Sequence, residues 1–324
     1  KRQHAPGMTD ALLQVFLLVG VGLLVARLGW IDEVSTQSFS NLVLKVFLPA
    51  LLFRTMATVD FNALSLLPIF NYLSLTMLTY ALAFFWAQRS PRIVSDPSQR
   101  GPAVSLALAS TFANSIIIGI PVVKLFYGPE GLVILLTVVT MHSLVLLTTS
   151  VLGYEMLAKN RSRRSRLMTA RQLAQSALLH PVVVPIFLGV FVSFLQIELP
   201  VLLDSTLLSM GQVAIPCCLV LLGATVYHSR GQIEPRAVGP AVLLKLVIHP
   251  LIVYLGSRFI FQAEPLTIAV LTSLAAMPSG ANPYLLAQRY NQGVSISATA
   301  VVATTAVAAF SLPYVLSLFP GPFS

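Results

Sequence analysis

A handful of polar side chains, set inside long apolar runs, are where this sequence could do chemistry. Lys245 and His249 stand four apart, which puts both on one face of a helix. His142 sits alone in the middle of another apolar run. Asn114 and Ser115 in "FANSIIIGIPVV" (112–123), and Ser279 and Asn282 in "MPSGANPYLL" (277–286), bring neutral polar groups beside Pro121, Pro278, Gly280 and Pro283. An ammonium or imidazole among apolar neighbours can offset exposed carbonyls, bind an anion or carry a proton, and an unperturbed imidazole titrates near 6.5. Lys245 also reads as a side chain snorkelling along its helix, and His142 as a neutral, hydrogen-bonded packing residue.

Bond-making chemistry has no signature. There is no G-x-S-x-G, H-E-x-x-H, P-loop or dinucleotide fingerprint. The 11 acids stand nearly all at the ends of apolar runs, which leaves no buried carboxylate pair for acid/base work or a divalent metal. Cys217 and Cys218 are the only cysteines, too few for a zinc site or a disulfide framework. The expectation is no enzyme, no metal and no cofactor.

The elements that carry these residues follow from composition. The chain of 324 residues is 56% hydrophobic and 10% charged, against about 25% charged in soluble domains. Its mean hydropathy of +0.84 makes it an integral membrane protein, with the lipid bilayer as its first partner. Windows of about 20 apolar residues predict ten helical spans, roughly 9–28, 38–58, 63–88, 102–126, 130–157, 174–197, 201–227, 236–261, 265–289 and 294–319. The run 11–26 reads as the first of these rather than as a cleaved signal peptide.

Charge sets the orientation. The loops after spans three, five and seven hold Arg89, Arg92 and Arg100, then the Lys and Arg between Lys159 and Arg171, then Arg230 and Arg236. Alternate loops hold Asp60, Glu130, Glu198, Asp204 and Glu264 instead. The positive-inside rule then makes the basic loops cytoplasmic and leaves both termini outside. It also accounts for the net charge of +9 without nucleic acid. The widest polar gap divides the chain into an N-terminal five-helix repeat (1–157), a basic cytoplasmic loop (158–173) and a C-terminal five-helix repeat (174–324). An odd number of spans in each half makes the second an inverted copy of the first. Faint internal similarity agrees, with Pro121 against Pro283, Gly131 against Gly293, and Pro49 against Pro216.

Spans four and nine are the anomalous ones. Proline has no amide hydrogen, so Pro121 is expected to free the carbonyl of Ile117, Pro278 that of Leu274, and Pro283 that of Ser279. Freed groups persist in a membrane only where protein or a watery cavity satisfies them. A broken span yields half-helices, whose N-terminal ends attract anions. Two of them meeting near the midplane, lined by Asn114, Ser115, Ser279 and Asn282, would suit a small organic anion.

"FANSIIIGIPVVKLFYG", "LAAMPSGANPYLLAQRYN" and "KVFLPALLFRTM" resemble the auxin efflux carrier family, and the resemblance extends over essentially the whole chain, through "HPVVVPIFLGV" and "LPVLLDSTLLSMGQVAIPCCLVLLGATV". Members of that family include plant auxin exporters and bacterial permeases of malonate, malate and related acids. The resemblance implies an all-α transmembrane fold of ten helices in two inverted five-helix repeats, with broken helices 4 and 9 crossed, similar to sodium/proton antiporters and bile-acid transporters. By position, Asn114 matches the substrate-contacting crossover asparagine, and Pro121 and Pro283 match the crossover prolines. Met141 or His142 falls where a polar residue of the fifth helix lines the plant site.

The site implied on these grounds comprises Asn114, Ser115, Ile118, Pro121, Met141, His142, Pro278, Ser279, Gly280, Ala281, Asn282 and Pro283, with Lys245 and His249 for coupling or charge compensation. The function implied is alternating-access transport of a mono- or dicarboxylate in a bacterial inner membrane, by a protein that pairs as a homodimer. The alternative is an anion channel or a membrane sensor that uses the same pocket without turnover. Two features depart from the plant pattern: the loop between the halves has only about fifteen residues, and "NYLSLTMLTYALAFFW" lacks the acidic and basic pair of the plant third helix.

Overall fold

Hydrocarbon offers no partner to a free amide or carbonyl, so an apolar chain of this composition satisfies its backbone within helices. The computed structural model describes residues 8–58, 65–94, 100–157, 183–228 and 234–319; the basic segment 158–173 lies outside the described residues. Every regular element among them is helical: α1 (Met8–Arg27), α2 (Glu33–Ala57), α3 (Leu67–Arg89), α4 (Gly101–Thr111), α5 (Ser115–Leu157), α6 (Val183–Phe194), α7 (Val201–His228), α8 (Pro235–Ile260), α9 (Pro265–Ala276), α10 (Asn282–Tyr290) and α11 (Val294–Ser317). Six are long and apolar enough to cross a membrane, namely α2, α3, α5, α7, α8 and α11. The protein is a multi-pass membrane protein. Helix α2 starts earlier than its hydropathy suggests because Asp32 caps it, its Oδ1 accepting from the Ser35 amide at 2.7 Å.

Of the prolines singled out in the broken spans, only Pro278 sits where the chain unwinds. In α2, α5 and α8 a π-helical turn precedes each X-Pro step: Val43–Phe47 before Pro49, Ser115–Gly119 before Pro121, and Leu244–Ile248 before Pro250. Widening the helix to five-residue hydrogen bonds moves the preceding carbonyls away from the proline ring, which would otherwise clash with the one four residues back. Pro121 therefore lies in wound helix rather than at a break. Likewise Pro283 is the second residue of α10, a position where its missing amide hydrogen is no loss. The carbonyl of Leu274 is also not free, because it accepts from the Met277 amide at 3.3 Å. Both breaks lie just upstream, at residues 112–114 and 277–281.

Helix α5 turns sharply at Gly128, whose φ of 67° is left-handed, giving limbs of residues 115–127 and 129–157. Pro129 and Glu130 at this turn line one cavity with Glu264 from the α8–α9 connection, so both lie at the same end of the molecule. At the opposite end, Ser105 Oγ donates to the carbonyl of Gln292 at 2.8 Å, joining the start of α4 to the α10–α11 turn. The path α4 to α5 and the path α9 to α10 thus run between the same two ends in opposite directions.

Packing sorts the helices into two groups. Helices α1, α2, α6 and α7 pack on one another, while α3, α4, α8, α9, α10 and α11 form the second group, joined by α5. Each group draws elements from both ends of the chain. One core, centred on Leu48, Leu52, Leu135 and Leu271, spans the boundary between the groups; a second, around Ala107, Leu146 and Ala300, lies within the larger group.

Candidate functional site

The two breaks meet. Helix α4 ends at Thr111, Phe112 turns extended, and Asn114 (φ −75°, ψ 63°) precedes α5. Helix α9 ends at Ala276 and Met277 is likewise extended. Ala113 and Ser279 form an antiparallel bridge. The Asn114 amide donates to the carbonyl of Pro278 at 2.8 Å, and the Gly280 amide to that of Phe112 at 3.0 Å. The Ser279 amide donates to Thr304 Oγ1 of α11 at 2.9 Å, while that hydroxyl donates to the Ala300 carbonyl at 2.6 Å. The amides of Asn114, Ser279 and Gly280, which two separate breaks would expose, are satisfied by the opposite break and by one threonine. Gly119 has a further role in "IIIGIP": a Cβ there would stand 2.9 Å from Met277 Sδ, so its absence lets the second break approach the π turn.

Lys245 and His249 stand behind this junction. Lys245 is fully buried, and its Nζ donates to the carbonyl of Ala275 at 2.6 Å, in the last turn of α9. It places a cation on the partial negative charge of a helix C-terminus. Lys245 Nζ also lies 3.3 Å from His249 Nδ1, and His249 Nε2 lies 3.1 Å from Thr76 Oγ1 of α3. An ammonium only donates, so Nδ1 accepts, and the imidazole is the neutral tautomer with its hydrogen on Nε2, donating to Thr76. Among the described residues the only ion pair is Arg54–Asp204, and the only buried acid is Glu155, which accepts from Tyr290 Oη at 2.9 Å. Among the described residues no acid pairs with Lys245 at the junction, so the environment there favours negative charge.

His142, on the second limb of α5, completes the cluster. Its ring centroid lies 5.0 Å from Phe112 and 5.6 Å from Tyr72, and Tyr72 lies 5.9 Å from His249. Neither nitrogen of His142 has a hydrogen-bond partner among the described residues. Ser110, Thr272 and Ser279 on the broken segments carry hydroxyls without partners too. A buried polar group left unpaired costs about 1–3 kcal/mol. So many in one region mark a place built to receive polar ligand atoms or solvent.

Of the residues singled out from sequence, Ser115, Ile118, Pro121, Pro278, Ser279, Gly280 and Pro283 are buried at the junction, and Asn114 and Asn282 are half-buried. Ala281 is exposed. Neither Asn114 nor Ala281 caps its helix with a side chain, which leaves the Asn114 amide group available. Met141 is half-buried, one residue and about 100° round the helix from His142. An apolar groove of about 150 Å³ between α1, α5, α7 and α11 reaches Ile118 and Pro278. Sequence reasoning missed Tyr72, Thr76 and Phe112. The first two belong to a stripe in α3, with Asn71, Tyr72, Thr76, Thr79 and Tyr80 at helical spacing, and all five are buried.

Proteins named as transporters resemble this chain over most of its length. A protein of Rhizobium meliloti (strain 1021) named "Putative malonate transporter" is 24% identical over 310 residues, covering 92% of this chain and 91% of its own. An "Uncharacterized transporter" of Methanothermobacter thermautotrophicus is 27% identical over 319 residues, covering 95% and 97%. The mouse "Lysosomal cholesterol signaling protein" is 23% identical over 315 residues, which are 92% of this chain but 36% of that protein. A family model described as "Membrane transport protein" matches residues 8–316, so the chain belongs to that family, the one whose auxin efflux carriers its motifs resemble.

Proposed function

We propose that the protein is a secondary transporter of a small organic acid anion, a mono- or dicarboxylate of the malonate kind. It works by alternating access at the junction of the two broken spans. In this reading the chain forms ten spans in two inverted repeats, the basic loops face the cytoplasm, and the α4–α5 and α9–α10 paths cross at the midplane. The group containing α1, α2, α6 and α7 is the scaffold against which the other helices move. The observation that carries the proposal is the reciprocal pairing of residues 112–114 with 278–280, backed by Lys245 on the α9 carboxyl end. Such an arrangement holds the Asn114 side-chain amide, the hydroxyls of Ser110, Thr272 and Ser279 and a cation beside one another without an acid among them, which is the chemistry a carboxylate needs. The relatives named as transporters support the same class.

Uptake of radiolabelled malonate into proteoliposomes is expected to saturate. Asn114→Ala removes the one accessible amide side chain of the first break and is expected to abolish uptake with thermal unfolding unchanged. Undiminished uptake by that variant would refute the site. Flux that rises linearly with concentration would indicate a channel instead.

A further inference from the structure

A second polar cavity lies away from the junction, at the end of the molecule that carries the acidic loops. Its volume is about 490 Å³, and Arg54 of α2, Lys124 and Thr137 of α5, and Glu130 and Glu264 of the two turns line it. Glu130 and Glu264 are exposed, on the turns that form its rim, whereas Arg54 and Lys124 are half-buried. The two cations lie one helical turn further in, about 5 Å at 1.5 Å per residue. The Nε and Nη2 of Arg54 are taken by Asp204, at 2.7 and 2.9 Å. That leaves Nη1, because a guanidinium has a third nitrogen. Lys124 has no ion-pair or hydrogen-bond partner among the described residues, and Arg54 acts on it electrostatically. Two like charges therefore face one cavity, where among the described residues Asp204 pairs with Arg54 and the lining acids Glu130 and Glu264 stand at the rim. From Glu130 the lining reaches Thr137, seven residues down the limb that carries His142 five residues beyond.

We propose that this cavity is an anion-capture site, distinct from the junction, in which one carboxylate bridges Lys124 Nζ and the free Nη1 edge of Arg54. The inference rests on the reading of the protein as an organic-anion carrier. Arg54 belongs to the scaffold group and Lys124 to α5, so the bound anion joins the two groups. The exposed acids at the rim keep their hydration, while the half-buried cations one turn deeper hold a carboxylate by charge-assisted hydrogen bonds. The two cations inside the rim draw a carboxylate past the exposed acids ahead of the slower step at the junction.

The test is calorimetric titration of purified full-length protein with malonate, alongside proteoliposome uptake. Wild-type protein is expected to show two sites and Asn114→Ala one. Adding Lys124→Gln to Asn114→Ala should weaken that remaining site about tenfold or more, whereas Lys124→Arg in the same background should retain it. In otherwise wild-type protein, Lys124→Gln should raise the uptake KM for substrate added on this side. No binding in Asn114→Ala, or equal binding with and without Lys124→Gln, would overturn the capture site even if wild-type transport saturates. The opposite result, Lys124-dependent binding without any saturable uptake, would retain the site and overturn the transport reading. Failure of wild-type protein to bind malonate at all overturns the site as stated. Should Lys124→Gln not fold, Lys124→Met carries the same comparison.

Discussion

At the scale of single residues, Lys245 decides the character of the junction. Its ammonium satisfies a carbonyl that the end of α9 leaves open and also sets the tautomer of His249. Two variants separate these roles. Lys245→Met leaves the Ala275 carbonyl unpaired and is expected to cost about 1–3 kcal/mol, read as a lower melting temperature in detergent. Lys245→Gln keeps a donor, one bond shorter, so the loss of stability should be smaller than in Lys245→Met. Carboxylate uptake should still fall at least about tenfold, since a charged hydrogen bond is roughly twice as strong as a neutral one. Retained uptake in Lys245→Gln would make the residue structural only.

At the scale of elements, Pro121 and Pro283 prove to be neighbours of the breaks, and only Pro278 lies within one. A π turn ahead of Pro49, Pro121 and Pro250 lets each helix pass through the proline. The chain unwinds instead where another element supplies hydrogen bonds. Thr304 is the clearest supplier, holding the Ser279 amide from α11. Thr304→Val keeps the shape and removes the acceptor, so it is expected to destabilise by about 1–3 kcal/mol, with Thr304→Ser restoring most of the loss. Equal melting temperatures for wild type and Thr304→Val would show that the break does not depend on this bond.

At the scale of the whole molecule, the proposed mechanism makes the two helix groups the moving parts. Inside a membrane, helix association relies on close packing and polar contacts more than on burial of apolar surface, so contacts that cross between groups can exchange at little cost. Val122 of α5 and Leu222 of α7 line the same groove on that boundary. Cysteines at both positions, in a Cys217→Ser/Cys218→Ser background, allow the groups to be tethered with a short bifunctional thiol reagent. The expected outcome is loss of uptake on tethering, with malonate binding retained. Uptake unaffected by complete tethering would place the motion elsewhere.

The sequence alone determined the membrane class and the apolar helical runs, because length and hydropathy are local quantities that the bilayer reads directly. It also singled out Asn114, His142, Lys245 and the "PSGANP" cluster, each a polar interruption costly enough in hydrocarbon to demand a reason. Only the tertiary structure decided that the first break falls at residues 112–114 and not at Pro121, since a π turn and a proline leave the same mark in sequence. It also decided that the breaks satisfy one another, that Lys245 reaches Ala275 thirty residues away, and that Tyr72 and Thr76 close the cluster. A buried hydrogen bond in lipid needs a partner, and which distant segment supplies it is fixed by packing, which no stretch of twenty residues contains.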